Sequence, residues 1–263
     1  MSGRRRVAAA LVAAVAGTSA VAGCTDIPSE PDAVFSLGLD PLPFPAVVVG
    51  DTLRNEAGAA VPIRATAFNG SGIPIDGANV SYFGDPGLTV TPEGFVIGGP
   101  TPSASRRVFA SIGGLTTQPE TIAVVPAPLT MALVDPAPDS LPYTDPAPIS
   151  EAVATTLRGA PPAETPDGAG APVPQWIVRY AIEFRGSTLS DTNPIFSVVV
   201  PGGGRLSPAD TTDAAGRAER SVALLDPAAV APGDVAVLVI TASYRGQPVG
   251  GEPIRVSLRV ARQ

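Results

Sequence analysis

The sequence predicts an all-β protein, and two observations carry this prediction. Proline (31 residues) and glycine (28 residues) make up more than a fifth of the 263 residues, which indicates many turns. The hydrophobic fraction of 44% is nevertheless that of a folded protein, and no long segment after residue 23 has a sustained helical period. Many turns together with a normal supply of apolar residues indicate numerous short strands.

The first 23 residues have the pattern of a secretory signal. Three arginines at 4–6 precede an apolar run from Val7 to Ala22. This run is shorter than the roughly 20 residues that cross a bilayer, which argues against an uncleaved transmembrane anchor. Ala20 and Ala22 are small enough for cleavage by an ordinary signal peptidase, so that alternative stays open.

The stretch Val21-Ala22-Gly23-Cys24 resembles the lipobox of bacterial lipoproteins. The resemblance implies cleavage between Gly23 and Cys24 and acylation of Cys24, with palmitate among the acyl chains. Cys24 is the only cysteine, so it has no internal disulfide to form, and this favours the lipobox over the other signals. Several acyl chains would anchor the protein stably, whereas a single chain binds a membrane only marginally.

The next elements are a tether over residues 24–33, which is mostly polar with two prolines, and a first domain over residues 34–126. The first domain has apolar stretches between turn signals such as Asn69-Gly70-Ser71-Gly72. Seven or eight short strands in roughly 90 residues form the pattern of an immunoglobulin-like sandwich. Strands are expected at Val34–Leu39, Ala46–Val49, Val61–Phe68, Val80–Phe83, Leu88–Val90, Phe95–Ile97, Arg107–Ile112 and Thr121–Val125.

The segment Pro126-Ala127-Pro128 predicts a domain boundary, and residues 127–263 predict a second sandwich. Asp135–Pro148 and Gly159–Pro174 are expected to be loops, the second of them long and exposed, and Ile149–Arg158 fits a strand or a short helix. The alternation of apolar with other residues that marks a half-buried strand is clearest in Trp176–Phe184. The remaining strands are expected at Leu129–Val134, Ile195–Val200, Ala218–Leu225, Val235–Tyr244 and Ile254–Val260.

Three turn motifs precede predicted strands: Gly72-Ile73-Pro74-Ile75-Asp76-Gly77, Gly170-Ala171-Pro172-Val173 and Thr212-Asp213-Ala214-Ala215-Gly216-Arg217-Ala218. Together they resemble the turns of bacterial immunoglobulin-like domains, including the invasin/intimin type. The resemblance implies two tandem immunoglobulin-like β-sandwiches after the lipoprotein signal. Proline presets one turn dihedral, glycine supplies positive φ, and Asp or Thr caps the turn, so these motifs specify turns rather than chemistry.

Composition narrows the chemistry that the chain can perform. It contains no histidine, and all 17 basic residues are arginine, so it lacks the usual general base and the Schiff-base nucleophile. The net charge is −7, and removal of three signal arginines makes the remainder more acidic. An acidic chain without a basic run argues against nucleic acid as a partner. Catalysis by a pair of Asp or Glu residues is the one enzymatic mechanism that this composition still allows, and no spacing of acidic residues in the sequence supports it.

Few residues are candidates for a site, and we expect no catalytic residue, no metal and no cofactor. Trp176, Tyr180 and Phe184 share one face of a strand and would form either a carbohydrate-stacking platform or, as favoured, a sandwich core. Trp176 and Tyr180 are therefore the candidate ligand contacts. Two sets of acidic residues could bind calcium or cap turns, and turn capping is favoured. The first set is Asp210, Asp213 and Glu219, and the second is Asp135, Asp139 and Asp145.

The favoured function is a non-catalytic cell-envelope lipoprotein whose domains serve as spacer, adhesion or assembly modules. The alternative is a carbohydrate-binding accessory protein or a carboxylate-based enzyme acting on glycans. The expected partners are a membrane, through the lipid anchor, and a protein or glycan that the sequence does not identify. Because Thr25 rather than Asp follows Cys24, the outer membrane or cell surface is favoured over the inner membrane.

Overall fold

The computed structural model describes residues 33–143, 148–160, 170–203, 205–251 and 253–261. The predicted signal, Cys24 and the tether as far as residue 32 lie outside the described residues. Within those residues the protein is built from strands and turns, with one 3₁₀ helix at Pro227–Ala229. No helix in these ranges is long and apolar enough to span a membrane.

The first domain contains nine strands in its described part, residues 33–126. Each strand that the sequence predicts there has a counterpart, and β8 is additional. The strands are β1 (Ser36–Leu39), β2 (Ala46–Val48), β3 (Ala65–Phe68), β4 (Ser81–Gly84), β5 (Leu88–Val90), β6 (Val96–Gly98), β7 (Ser103–Ile112), β8 (Leu115–Thr116) and β9 (Glu120–Val125).

One continuous sheet dominates this domain, in the order β2-β9-β7-β4, with β8 paired to β7. β2 runs parallel to β9, and the other pairs are antiparallel. The opposite layer is divided into two antiparallel pairs, β1–β3 and β5–β6. The buried core between them includes Val47, Leu53, Ile63, Val108 and Ile122.

The second domain contains twelve strands in the part of residues 127–261 that the structure describes. They are β10 (Pro128–Leu133), β11 (Ser140–Pro142), β12 (Val153–Gly159), β13 (Ile177–Phe184), β14 (Ser187–Thr188), β15 (Phe196–Val199), β16 (Ala209–Thr211), β17 (Arg217–Leu224), β18 (Val235–Thr241), β19 (Ser243–Tyr244), β20 (Gln247–Pro248) and β21 (Ile254–Ala261).

Two full sheets form this domain. One has the order β10-β12-β17-β15, and the other has the order β11-β21-β18-β13 with β14 and β16 on the outer edge of β13. In immunoglobulin lettering these are A-B-E-D and A′-G-F-C. The chain is therefore all-β with two tandem immunoglobulin-like sandwiches, and only Pro126 and Ala127 separate β9 from β10.

The alternation predicted for Trp176–Phe184 is confirmed in β13. Val178, Tyr180, Ile182 and Phe184 are buried, while the residues between them are partly or fully exposed. From Arg179 to Phe184 β13 pairs with β18, whose burial alternates in the same way. Two alternating strands in register place one apolar face in the core.

Three predictions about local structure need correction or completion. Asp135–Pro148 is not only a loop, because β11 lies within it and pairs in parallel with β21 around the buried Leu141. The ambiguous segment Ile149–Arg158 is not helical, and from Val153 onward it forms the strand β12. Val61–Phe68 becomes a ladder strand only from Ala65, after Pro62, which has no N–H to donate.

The predicted long loop at Gly159–Pro174 is only partly described, since residues 161–169 lie outside the described ranges. Gly159 belongs to β12, and Pro172 forms a bridge with Arg158. Both ends of this segment are therefore held against the sandwich.

Candidate functional site

The aromatic residues of the predicted ligand platform lie in the core. Trp176 is 5% exposed and Tyr180 is 3% exposed, and Phe184 packs edge-on against Phe196 with ring centroids 5.0 Å apart. Burial raises the pKa of the Tyr180 hydroxyl far above its usual value. None of the three rings presents a face to solvent on which a sugar would stack, in line with the favoured interpretation as core.

The carboxylates of the first predicted calcium group are used within the fold. Asp213 Oδ1 accepts hydrogen bonds from the backbone N–H groups of Ala215 (2.8 Å) and Arg217 (2.9 Å), which caps the turn. Asp210 forms an ion pair of 2.9 Å with the buried Arg220, and Glu219 pairs with Arg217 at 2.9 Å.

The second predicted group is only partly visible, because Asp145 lies outside the described residues. Across the described ranges, no three His, Cys, Asp or Glu side chains are grouped so that they would hold a metal ion. Cys24 and Gly23 also lie outside these ranges, so the lipidation and cleavage sites stay predictions.

A set of polar and aromatic contacts that the sequence did not predict joins the two domains. We call it the joint, and its residues are Phe44, Asp51, Arg54, Glu56 and Gly58 of the first domain with Trp176, Arg179, Ser243, Tyr244 and Arg245 of the second.

Asp51 is the centre of the joint and is only 8% exposed. Its carboxylate accepts hydrogen bonds from both domains. Arg54, in the first domain, donates from Nε and Nη2 at 3.0 Å each. From the second domain, the Tyr244 hydroxyl donates at 2.7 Å and Arg245 Nε donates at 3.0 Å. The backbone N–H of Thr52 adds a bond of 2.8 Å, so the buried charge is well compensated.

These partners shift the titration of the whole group. Burial by itself would raise the pKa of Asp51, but the hydrogen bonds from Arg54, Arg245, Tyr244 and Thr52 outweigh burial and hold that pKa well below its usual range. Burial and the neighbouring Asp51 carboxylate raise the pKa of Tyr244 to about 12. At neutral pH the group around Asp51 therefore holds an ionised carboxylate, the neutral phenol of Tyr244 and the two guanidinium groups of Arg54 and Arg245.

Aromatic rings form the apolar side of the joint. Phe44 of the first domain packs edge-on against Trp176 with centroids 4.8 Å apart, and Trp176 packs edge-on against Tyr244 at 6.0 Å. Trp176 stands directly before β13, and Tyr244 ends β19, so both lie at the same end of the second sandwich. Edge-on pairs of this kind add about 0.5–1.5 kcal/mol each beyond the area that they bury.

A second row of contacts lies beside Asp51. Arg179 Nε donates to Glu56 at 2.9 Å, and the Ser243 hydroxyl donates to the backbone carbonyl of Glu56 at 3.2 Å. Gly58, with φ of +85°, lies so close to the second domain that a side chain there would overlap the backbone of Arg245 and Gly246. Glycine is required at this position by both its dihedral and its contact.

Two spaces lie at the joint, and the larger is a cleft of about 230 Å³ beside Phe44, Glu56, Arg179 and Ser243. The smaller is a cavity of about 20 Å³ among Phe44, Val47, Arg54, Trp176 and Tyr244. That cavity has room for about one water molecule, while ligand pockets have several hundred Å³. The hydrogen bonds and ring contacts of the joint hold the two domains against each other.

Sequence reasoning missed the joint residues, although two signals mark them. Gly50-Asp51 and the following Arg54 lie in a segment, 50–60, that fits no predicted strand. Tyr244-Arg245-Gly246 forms the tip of a hairpin, where an aromatic residue and a cation would otherwise face solvent. A polar segment without a strand and a hairpin tip with an aromatic residue are both places where contacts to another domain occur.

No protein-family model matches the chain, and no curated protein matches it. Among solved structures it is similar to the adhesin InvE of Yersinia pseudotuberculosis, with 17% identity, 88% of this chain and 61% of that chain covered, and a TM-score of 0.32. It is also similar to the Escherichia coli adhesin FdeC (17% identity, 88% and 66% covered, TM-score 0.31) and to the D00-D0 domain of intimin (9%, 86% and 99%, 0.28).

The chain spans 61% and 66% of the lengths of the two adhesin structures, which is less than two thirds of each. At these TM-scores the similarities carry no argument about function. The immunoglobulin-like fold rests on the strand order of the two sandwiches.

Proposed function

We propose that the protein is a non-catalytic cell-envelope lipoprotein in which two sandwiches, held at a fixed angle by the joint, act as a spacer that presents an adhesion or assembly surface away from the membrane. The joint is the observation that carries this proposal. A buried carboxylate that accepts hydrogen bonds from Arg54 of its own domain and from Tyr244 and Arg245 of the other ties the two domains at several points.

The length of the linker supports the same conclusion. Only Pro126 and Ala127 lie between β9 and β10, and proline restricts the backbone at that position. Gly159 approaches Pro126 so closely that any side chain there would meet the linker. A short linker together with the contacts of the joint leaves little freedom for the domains to reorient.

The site chemistry supports a non-catalytic role. The carboxylates of the first predicted calcium group cap a turn or pair with arginine, as at Asp213 and Asp210, and the central aromatic rings are buried. A spacer needs a stable fold with a defined direction, and both sandwiches meet that need.

The anchor is tested by incorporation of radiolabelled palmitate into the full chain in a bacterial host. We expect label in the native chain and in the control Thr25→Ala, and none in Cys24→Ala. Label that survives Cys24→Ala would contradict the anchor. Protease treatment of intact cells then separates a surface position, in which the chain is cut, from a periplasmic one, in which it is protected.

The fixed angle is tested by the distance distribution between spin labels at Thr101→Cys and Ser187→Cys, both exposed, in a Cys24→Ser background. We expect one narrow distribution. Gly58→Ala should broaden it, because the methyl group overlaps the second domain. Gly72→Ala is the matched control, since Gly72 also has positive φ, +76°, but nothing lies within 4 Å of the added methyl group. A broad distribution in the native chain would overturn the rigid spacer.

A further inference from the structure

In each domain the second strand, which has three residues, lies beside the last strand and runs in the same direction. In the first domain β2 pairs in parallel with β9, from Ala46 opposite Ala123 to Val48 opposite Val125. In the second domain β11 pairs in parallel with β21, from Ser140 opposite Arg259 to Pro142 opposite Ala261. We call these two pairs the first clamp and the second clamp.

Both clamps extend one hydrogen bond beyond each end of the paired residues. In the first clamp the N–H of Ala123 donates to the carbonyl of Pro45 at 3.0 Å, and the N–H of Val49 donates to the carbonyl of Val125 at 2.9 Å. In the second clamp Arg259 donates to Asp139, and Tyr143 donates to Ala261, each at 2.9 Å. The same short parallel ladder is therefore built twice.

This geometry decides how the protein responds to a pull on its two ends. The chain enters each clamp at the N-terminal end of one strand and leaves it at the C-terminal end of its parallel neighbour. A pull on the two ends therefore slides the strands past each other, and the evenly spaced bonds of a parallel ladder carry the load together. Strands pulled apart from the same end would instead lose their bonds one after another.

Burial protects the first clamp from water. Every residue of β2 is buried, and so are Ala123, Val124 and Val125 of β9. Water that cannot reach a backbone hydrogen bond cannot replace it as the bond lengthens. The second clamp is buried at Leu141 and Val260, while Ser140 and Arg259 have access to solvent.

The clamps also lie in series along the chain. β9 ends at Val125 and β10, which pairs with β12, begins at Pro128, so tension that leaves the first clamp enters the second domain through β10 before it reaches the second clamp. We propose that the protein bears tension, and that each clamp resists a pull applied to the two ends of its domain. This inference rests on the proposed function, since tension in the cell requires an anchored chain.

The experiment is single-molecule pulling on the chain from residue 24 in a Cys24→Ser background, because no other cysteine is present. One handle is attached to a cysteine added after Gln263. The other is attached either at Asp139→Cys, which slides β11 along β21, or at Pro142→Cys, which peels β11 from the same end. Both variants pull on the second clamp, and only the direction of loading differs.

We expect the force at which the second domain ruptures to be about threefold higher for Asp139→Cys than for Pro142→Cys, because three residue pairs share the load in one case and yield in turn in the other. Equal forces would overturn the inference, as would a lower force for Asp139→Cys. Denaturant unfolding of both variants checks that their equilibrium stabilities agree, since forced rupture depends on the unfolding barrier.

The first domain gives an independent repeat if Pro142→Cys destabilises the fold. Handles at Asp40→Cys and Ala127→Cys slide β2 along β9, and handles at Val49→Cys and Ala127→Cys peel it. The same ratio is expected, and equal forces here would also overturn the inference. These measurements need no membrane, so their failure would leave the acylation of Cys24 and the fixed interdomain angle untouched.

Discussion

In the second domain both layers are continuous sheets of long strands, whereas in the first domain only the layer of β2, β9, β7 and β4 is continuous. The opposite layer of the first domain is split into the β1–β3 and β5–β6 pairs. The segment between β2 and β3 completes it instead. The N–H of Leu53 donates to Val96 at 2.7 Å, and the N–H of Ile63 donates to Gly94 at 2.9 Å.

The same segment carries the joint residues Asp51, Arg54, Glu56 and Gly58. The segment that closes the first sandwich is thus the one that also contacts the second domain. The second sandwich closes through its own long strands, for example β13, β18 and β21. The joint adds the same coupling free energy to both domains, and the comparison indicates that this is a larger share of the stability of the first domain than of the second.

The largest expected effect comes from two matched core substitutions. Leu53→Ala and Leu238→Ala each remove a fully buried side chain, and each should lower the free energy of unfolding by about 3 kcal/mol. Leu53→Ala should also loosen the joint, because Leu53 lies between Asp51 and Arg54. Denaturant unfolding followed by Trp176 fluorescence, which reports on the joint, and by circular dichroism checks this.

The two probes should separate for Leu53→Ala and coincide for Leu238→Ala. If Leu238→Ala alone separated them, the joint would be the larger share of the stability of the second domain, the opposite of what is inferred.

The strands of the second domain could be predicted from sequence because their cause is local. Alternation from Val178 to Phe184 places apolar side chains on one face whatever the partner strand is. β11 could not be predicted in this way. It has three residues, among them a proline, and it is defined by its pairing with β21 near the other end of the domain.

Which residues of the two domains meet in the joint was beyond prediction for a related reason. The bond between Asp51 and Tyr244 links residues 193 positions apart, and neither residue belongs to a motif. Trp176 was correctly expected in the core, but its neighbour Phe44 comes from the other domain. Contacts between domains depend on two folded surfaces, and a single sequence contains no period or spacing that reports them.

The next effect in size is the loss of the joint charge. Asp51→Asn keeps the shape of the side chain but leaves Arg54 and Arg245 without their carboxylate, and should destabilise the first domain by about 2 kcal/mol. Thermal unfolding followed at Trp176 measures it. Asp85→Asn is the matched control, because Asp85 pairs with Arg107 on the surface of the same domain, where ion pairs add little.

Equal destabilisation by the two substitutions would show that the joint contributes no more than a surface ion pair. It would also remove the reason to treat the joint as a large share of the stability of the first domain.

Lowering the pH should weaken the stabilisation that Asp51 gives to the joint. The folded pKa of Asp51 lies below its unfolded value of about 4, so its contribution to stability is complete above that pH and is lost as the pH falls through the folded pKa. Asp85, Glu183 and Asp234 also have lowered pKa values, so total acid stability does not isolate Asp51.

The difference in stability between the native chain and Asp51→Asn does isolate it. We expect this difference to be constant from pH 7 to about pH 4 and to shrink at lower pH. Urea unfolding across this range measures it. A difference that grows on acidification would contradict the assigned charge state.

The smallest expected effect concerns the second row of the joint. Arg179 and Glu56 are about half exposed, so the attraction between them is screened by solvent. A double-mutant cycle with Arg179→Ala and Glu56→Gln should give a coupling of about 0.5 kcal/mol or less, weaker still in high salt. A coupling as large as the effect of Asp51→Asn would move the centre of the joint from the buried carboxylate to this exposed pair. The angle between the domains would then depend on ionic strength, whereas a joint centred on the buried Asp51 carboxylate should respond little to salt.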